Sequence, residues 1–268
     1  MTIFETIVLG IVEGVTEFLP ISSTGHMALT SAVLGIEKDA FTKLFIENIQ
    51  FGTILSVIIL YWRKFLDLKQ LSFYIKLVVA FIPSAIVGIL LKKHIDKVLE
   101  TPLFISVVMF LGGFVLLFVD NWFKKPAITK EENITIKNSF VIGVFQIIAI
   151  VLPGFSRSAA TIIGGMQQKL TRKAAAEFSF FLAVPTLAGA FAKSLWDTWK
   201  DTPEILTGSN IQMLALGNLV GFLVAMVAIK TFIGFLQKHG FKAFGWYRIL
   251  VGLVLISMIL MGIDLKMA

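Results

Sequence analysis

Six long, predominantly apolar runs, at 44–62, 73–91, 103–122, 174–195, 211–236 and 244–263, set the first limit on what this chain can become. Each reaches the roughly 18–20 residues a helix needs to cross a hydrocarbon core of about 30 Å. Inside a bilayer every backbone N–H and C=O must find an internal partner, which leaves only helices and closed barrels. A barrel strand would alternate apolar and polar residues, and these runs are sustained instead. The expectation is an all-α polytopic integral membrane protein with about six full transmembrane helices, in keeping with a chain that is 57% hydrophobic. The longest polar stretches, 123–138 and 196–210, read as loops, so residues 1–268 form a single integral membrane domain.

Charge and cysteine content narrow the function classes. Lys plus Arg number 24 and Asp plus Glu 17, a net charge of +7. The basic residues gather at span ends, as in Arg63-Lys64, Lys92-Lys93 and Lys124-Lys125, where they snorkel and set topology. Membrane lipids with anionic head groups are therefore the expected electrostatic partner, and no nucleic acid is expected. The absence of cysteine excludes disulfides, thiol nucleophiles and Cys-ligated metals. Lys and Arg are absent ahead of the first apolar run and Glu5 stands there, so no cleavable signal peptide is expected.

Loop charge predicts orientation. One side carries Arg63, Lys64, Lys69, Lys124, Lys125, Lys130, Lys137, Lys169, Arg172, Lys173, Lys238 and Lys242. The other carries Lys38, Lys43, Lys92, Lys93, Lys97, Lys193, Lys200 and Lys266. Twelve against eight makes the first side cytoplasmic and puts both termini outside.

Two segments break the apolar pattern. Residues 2–19 end at Pro20 and are followed by a piece, 27–36, too short to span; residues 139–152 end at Pro153, followed by a short helical stretch to about 167. Helix, Pro/Gly/Ser break and second short helix predict a re-entrant hairpin, which is tolerated only where it lines an enclosed or wet cavity. Anchoring Pro20 on Pro153 aligns Gly10 with Gly143, Glu13 with Gln146 and Ser23 with Ser156. Each hairpin is followed by three spans, an odd number, so the halves, about 1–122 and 139–268, are expected to be inverted repeats. The two hairpins would then enter from opposite faces and meet near mid-depth.

The breaks hold the chemistry. Glu13 and Glu17 lie four apart on one helical face. Two carboxylates that close in low dielectric repel unless a cation intervenes, and a hard divalent ion, Mg²⁺ or Ca²⁺, fits. Ser22, Ser23, Thr24 and Gly25 open a helix whose N-terminal amides suit an anion, although N-capping is the commoner use of such residues. His26, on the same turn as Ser22 and Ser23, is a candidate general acid or base. In the second break Arg157 offers a bidentate fork for phosphate, with Ser156, Ser158 and Thr161 as hydroxyl donors. Carboxylates for a cation plus an Arg–Ser anion cradle point to phosphoryl transfer or phosphate hydrolysis. Burial within a membrane protein points to a substrate with a lipid tail, running between Phe-rich spans (25 Phe in the chain).

At EGVTEFLPISSTGH (13–26) and PGFSRSAAT (153–161) the chain closely resembles the bacterial undecaprenyl pyrophosphate phosphatases linked to bacitracin resistance. IQFGTIL at 49–55 and AEFSFFLAVP at 176–185 extend the resemblance across the chain. Ala159 replaces a glycine of some relatives, and Ile46 stands where many have an acidic residue four before Gln50. The resemblance implies hydrolysis of undecaprenyl diphosphate to the monophosphate, recycling the carrier for peptidoglycan, with a divalent-cation requirement. It implies location in the bacterial cytoplasmic membrane and a site open to the outer face. It assigns Glu13 and Glu17 as metal or catalytic carboxylates, His26 and Arg157 as catalytic residues, and Ser23 as nucleophile or phosphate ligand. Ser156, Ser158 and Thr161 fall in its second phosphate-binding motif. The attacking group is left open between Ser23, with His26 as base, and a water activated by His26 or a glutamate. The rival reading is a transporter or flippase of a lipid-linked phosphate, since broken helices in inverted repeats also serve transport.

Overall fold

The computed structural model describes residues 1–91, 98, 101–263 and 265. Lys92, Lys93, Lys97 and Lys266, used above for orientation, lie outside the described residues. Twelve α-helices appear among the described residues: α1 Ile3–Thr16, α2 Ser23–Leu34, α3 Ala40–Asn48, α4 Gln50–Leu60, α5 Trp62–Leu66, α6 Leu71–Leu90, α7 Pro102–Trp122, α8 Ile136–Val151, α9 Arg157–Gln167, α10 Arg172–Asp201, α11 Gly208–His239 and α12 Lys242–Leu260. Their only β pairing is one isolated bridge, Ile128 to Leu170, which pins the α7–α8 loop.

Six segments are long and apolar enough to cross a membrane: 40–60, 71–90, 102–122, 172–201, 208–239 and 242–260. The chain is thus an all-α polytopic membrane protein. The first span is made of α3 and α4, which join at Ile49 (φ −71°, ψ −13°). The stretch 196–210 is less of a loop than its polarity predicts, because α10 continues to Asp201. Lys193 pairs with Asp197 one turn on at 2.5 Å, and Trp196 and Trp199 pack ring to ring at 5.3 Å. Both are interface chemistry that sustains a helix past the apolar core.

The two hairpin entries start alike. Thr2 caps α1 and Thr135 caps α8, each reciprocated by the residue three on, Glu5 and Asn138. α1 and α8 are about 20–24 Å long at 1.5 Å per residue, too short to cross alone. Packing is reciprocal between the halves: α1 lies on α11, α8 lies on α6, and α7 pairs with α12. At both crossings a glycine of the hairpin permits the approach. A Cβ at Gly10 would come within 3.1 Å of the Gly217 carbonyl, and one at Gly143 would run into the Ala80 carbonyl. Between them α10 forms the centre of the core, with Phe178, Phe180, Phe181 and Leu182 buried. Outward-facing apolar residues such as Ile82, Phe118, Leu223 and Leu250 meet lipid.

Gly143→Ala is expected to destabilise the protein by about 1–3 kcal/mol, because neither backbone at the crossing can yield. Gly88→Ala on α6, where nothing lies within 4 Å, is the control and should be neutral. Thermal midpoints in detergent check both.

Candidate active site

Both hairpin tips are built the same way. α1 ends at Thr16 with Glu17 as its C-cap, and α2 begins after Ser22. α8 ends at Val151, and α9 begins after Ser156. Ser22 (φ 72°) and Ser156 (φ 80°) both hold a positive φ that few residues with a Cβ adopt. In each, the hydroxyl accepts from an amide of the following helix: Gly25 N–H at 3.4 Å and Ala159 N–H at 3.3 Å. Between the proline and the capping serine the second tip has one residue more than the first, Gly154 and Phe155 against Ile21, with Gly154 at φ 98°. Ser22, rather than Ser23, is therefore the counterpart of Ser156, and Ser23 is the counterpart of Arg157. The sequence alignment on proline slipped by one at this loop, because the extra residue lies between the proline and the cap.

The tips meet through Glu17. Its Oε1 accepts from Arg157 Nη2 at 2.9 Å, and its Oε2 accepts from the Ser23 hydroxyl at 2.6 Å. Arg157 also donates from Nη1 to the Ser179 carbonyl at 3.0 Å and lies over the Phe18 ring at 5.9 Å. Its Nε is buried with no hydrogen-bond partner. One carboxylate thus joins a guanidinium of the second hairpin to a hydroxyl of the first.

The other hydroxyls of the second cluster brace this contact. Ser158 Oγ donates to the Phe18 carbonyl at 2.6 Å, and Ser156 Oγ to the Leu19 carbonyl at 3.4 Å. Thr161 is buried and bonds Ser179 Oγ at 2.6 Å and the Arg157 carbonyl at 2.9 Å. Ser23, Thr24, Ser156 and Arg157 are half-buried, so they form the accessible part of the cluster.

His26 is engaged elsewhere than with Ser23. Its Nδ1 lies 2.7 Å from the Ser22 carbonyl and its Nε2 2.8 Å from the Tyr247 hydroxyl. A carbonyl only accepts, so Nδ1 carries the proton and in the neutral ring Nε2 accepts from Tyr247. The His26 and Tyr247 rings lie parallel, 5.5 Å apart. The proton acceptor within reach of Ser23 is Glu17.

Glu13 is fully buried beside Glu17, and neither of its oxygens has a hydrogen-bond partner. Its counterpart Gln146 donates to Ser84 Oγ at 2.6 Å and Thr186 Oγ1 at 3.2 Å. Orphaned carboxylate oxygens next to a second carboxylate are the donor chemistry of a hard divalent cation. Among the described residues no group of three or more His, Cys, Asp or Glu surrounds a metal position. A cation here would therefore take its remaining ligands from water and phosphate, as Mg²⁺ does.

Three polar side chains outside the clusters have clear roles. Glu47 accepts from Ser194 at 2.7 Å, and Glu177 lies 4.0 Å from Lys173 one turn away on its own helix. Arg248 is fully buried on α12 and donates to backbone carbonyls of both hairpin tips. Neither Arg248 nor its neighbour Tyr247 stands out in the sequence. The one available signal is a charge inside the apolar run 244–263, close enough to its start to pass for a snorkelling residue.

Comparison with known proteins agrees across nearly the whole chain. A protein of Flavobacterium psychrophilum named undecaprenyl-diphosphatase is 54% identical, over 96% of this chain and 95% of its own. Proteins of the same name from Porphyromonas gingivalis and Aquifex aeolicus are 47% and 43% identical, covering 99% and 95% of this chain and 99% and 97% of their own. Residues 6–254 match the family described as bacitracin resistance protein BacA. The chain belongs to this bacitracin resistance protein family.

Proposed function

We propose that the chain hydrolyses undecaprenyl diphosphate to undecaprenyl phosphate and inorganic phosphate. The observation that carries this reading is the Arg157–Glu17–Ser23 chain of hydrogen bonds between the two hairpins. It brings a guanidinium, a carboxylate and a hydroxyl into contact, groups suited to bind phosphate, accept a proton and attack phosphorus, and relatives matching over almost their full length carry the same enzyme name. Such a reaction recycles the lipid carrier for peptidoglycan synthesis and accounts for bacitracin resistance. It belongs in the bacterial cytoplasmic membrane, with the site open to the outer face where the diphosphate is released. The transport reading is not favoured by these names.

In this mechanism the terminal phosphate enters against the half-buried rim and takes up Arg157, whose Nη1 and Nη2 each carry a second N–H beyond the bonds to Ser179 and Glu17. Amides at the starts of α2 and α9 add partial positive charge. Ser23 Oγ attacks the terminal phosphorus in line, and its proton passes to Glu17. The bond from that phosphorus to the bridging oxygen breaks, and undecaprenyl phosphate leaves with the oxygen. Water then cleaves the phosphoserine, releasing inorganic phosphate and returning the hydroxyl. His26, held by Ser22 and Tyr247, keeps the start of α2 in place. Glu13 and Glu17 are the residues that would hold a divalent cation, Mg²⁺ or Ca²⁺. Its chemistry would be neutralisation of phosphate charge.

Purified protein given a polyprenyl diphosphate should release phosphate, and EDTA should remove at least about 90% of the rate until Mg²⁺ or Ca²⁺ is restored. No release under any metal condition would overturn the enzymatic reading; full activity in EDTA would overturn the cation.

A further inference from the structure

Arg248 is the seventh residue of α12, and none of its surface is exposed. Its partners are backbone carbonyls. Nη1 donates to Phe155 at 2.6 Å and to Pro20 at 3.2 Å, Nη2 to Gly154 at 2.9 Å, and Nε to Met109 at 3.3 Å. The Phe155 ring lies 5.7 Å from the guanidinium carbon. Pro20 belongs to the tip of the first hairpin, Gly154 and Phe155 to the tip of the second, and Met109 to α7.

Burying a charge against carbonyl dipoles is a poor way to gain stability; an apolar residue of similar volume usually does as well or better. The placement makes sense for the tips themselves. A tight loop at membrane depth turns carbonyls away from any helix ladder, and each one left without a donor is costly. A planar fork with several N–H groups can serve two loops at once, which an ammonium on a flexible stem cannot copy. The carbonyls it holds are close to the reacting groups in sequence. Phe155 directly precedes Ser156 and Arg157, while Pro20 stands midway between Glu17 and Ser23. On α7, Gly112 leaves the space that the guanidinium fills, since a Cβ there would run into Arg248 Nη2.

We propose that Arg248 is a positioning residue that clamps the two hairpin tips together, so that Glu17 and Ser23 of one meet Arg157 of the other. The clamp rests on the proposed hydrolysis for its effect on rate, and on the backbone geometry alone for its effect on structure. A misplacement of about 1 Å at a reacting centre costs on the order of 100-fold.

Two variants test it. Arg248→Lys keeps the charge and loses the fork. Gly112→Ala keeps Arg248 and displaces its head. Arg248→Lys should lower kcat for phosphate release about 100-fold and Gly112→Ala about tenfold, with KM within threefold of wild type in both. Gly88→Ala should leave both constants unchanged. The second readout does not depend on activity. The chain has no cysteine, so spin labels attach only at Val15→Cys and Leu152→Cys, two exposed positions near the tips. Dipolar coupling between them should give one narrow distance in the wild-type background and a broadened one with Arg248→Lys or Gly112→Ala. An unchanged distance distribution in both variants would overturn the clamp, whatever the substrate. Wild-type kcat in both would overturn its role in the reaction. Should Arg248→Lys fail to fold, Gly112→Ala decides by the same two readouts. Absence of phosphate release by the wild type, with the broadening present in the two variants, would refute the hydrolysis and retain the clamp.

Discussion

Glu17→Gln is expected to reduce kcat for phosphate release by about 10³-fold, within the 10²–10⁴ range of a lost general base. The carboxylate serves two partners at once, Ser23 at 2.6 Å and Arg157 at 2.9 Å. A glutamine offers one acceptor oxygen where Glu17 offers two, so it keeps one of these bonds, sets an NH2 donor against the other partner and takes no proton. The substitution also removes the counter-charge of Arg157, whose side chain is only 12% exposed. Breaking a buried ion pair from one side costs about 3–5 kcal/mol, and this partly exposed pair belongs at the lower end. A drop in thermal midpoint should therefore accompany the loss of rate. Rates at saturating substrate and cation measure the first effect, and a value within tenfold of wild type would exclude Glu17 as the proton acceptor.

Ser23→Ala should cost a similar factor of about 10³, because the attacking oxygen itself is gone. Its stability cost should be small: the hydroxyl is half-buried and Glu17 keeps Arg157. Acid quench of the wild type with substrate labelled on the terminal phosphorus should trap label on the protein, and the alanine variant should trap none. Since Ser23 and Glu17 act as a unit, the double variant should be scarcely slower than either single one. Full turnover by Ser23→Ala would transfer the attack to a water held at Glu17, and the serine would then count as a phosphate ligand.

Much of this was legible in the sequence, for a physical reason. Charge in an apolar setting is conspicuous, so Glu13, Glu17 and Arg157 declared themselves against the spans around them. The runs of apolar residues located all six spans. Their ends were less legible: α10 extends into the polar stretch 196–201 because side-chain pairs one turn apart sustain it there. Pairings between side chains were not legible at all. Nothing in the order of residues tells that Ser23 turns to Glu17 while His26 turns to Tyr247, 221 positions away. Ser156, Ser158 and Thr161 read as phosphate donors by type, and their hydroxyls engage the first hairpin and Ser179 instead. Arg248 stayed hidden for the opposite reason to Arg157: its place near the start of a span is where arginine is ordinary.

The reciprocal packing of the halves has a consequence for how the molecule is made. α1 emerges from the ribosome about two hundred residues ahead of α11, the helix it lies against. At 5–20 residues per second that is a wait of roughly 10–40 s. Throughout it the carboxylates of Glu13 and Glu17 lack the shelter of α11, and for most of it, until Arg157 is made, they also lack their guanidinium partner. The first hairpin thus reaches its final surroundings late, and the site closes only once α11 has been made.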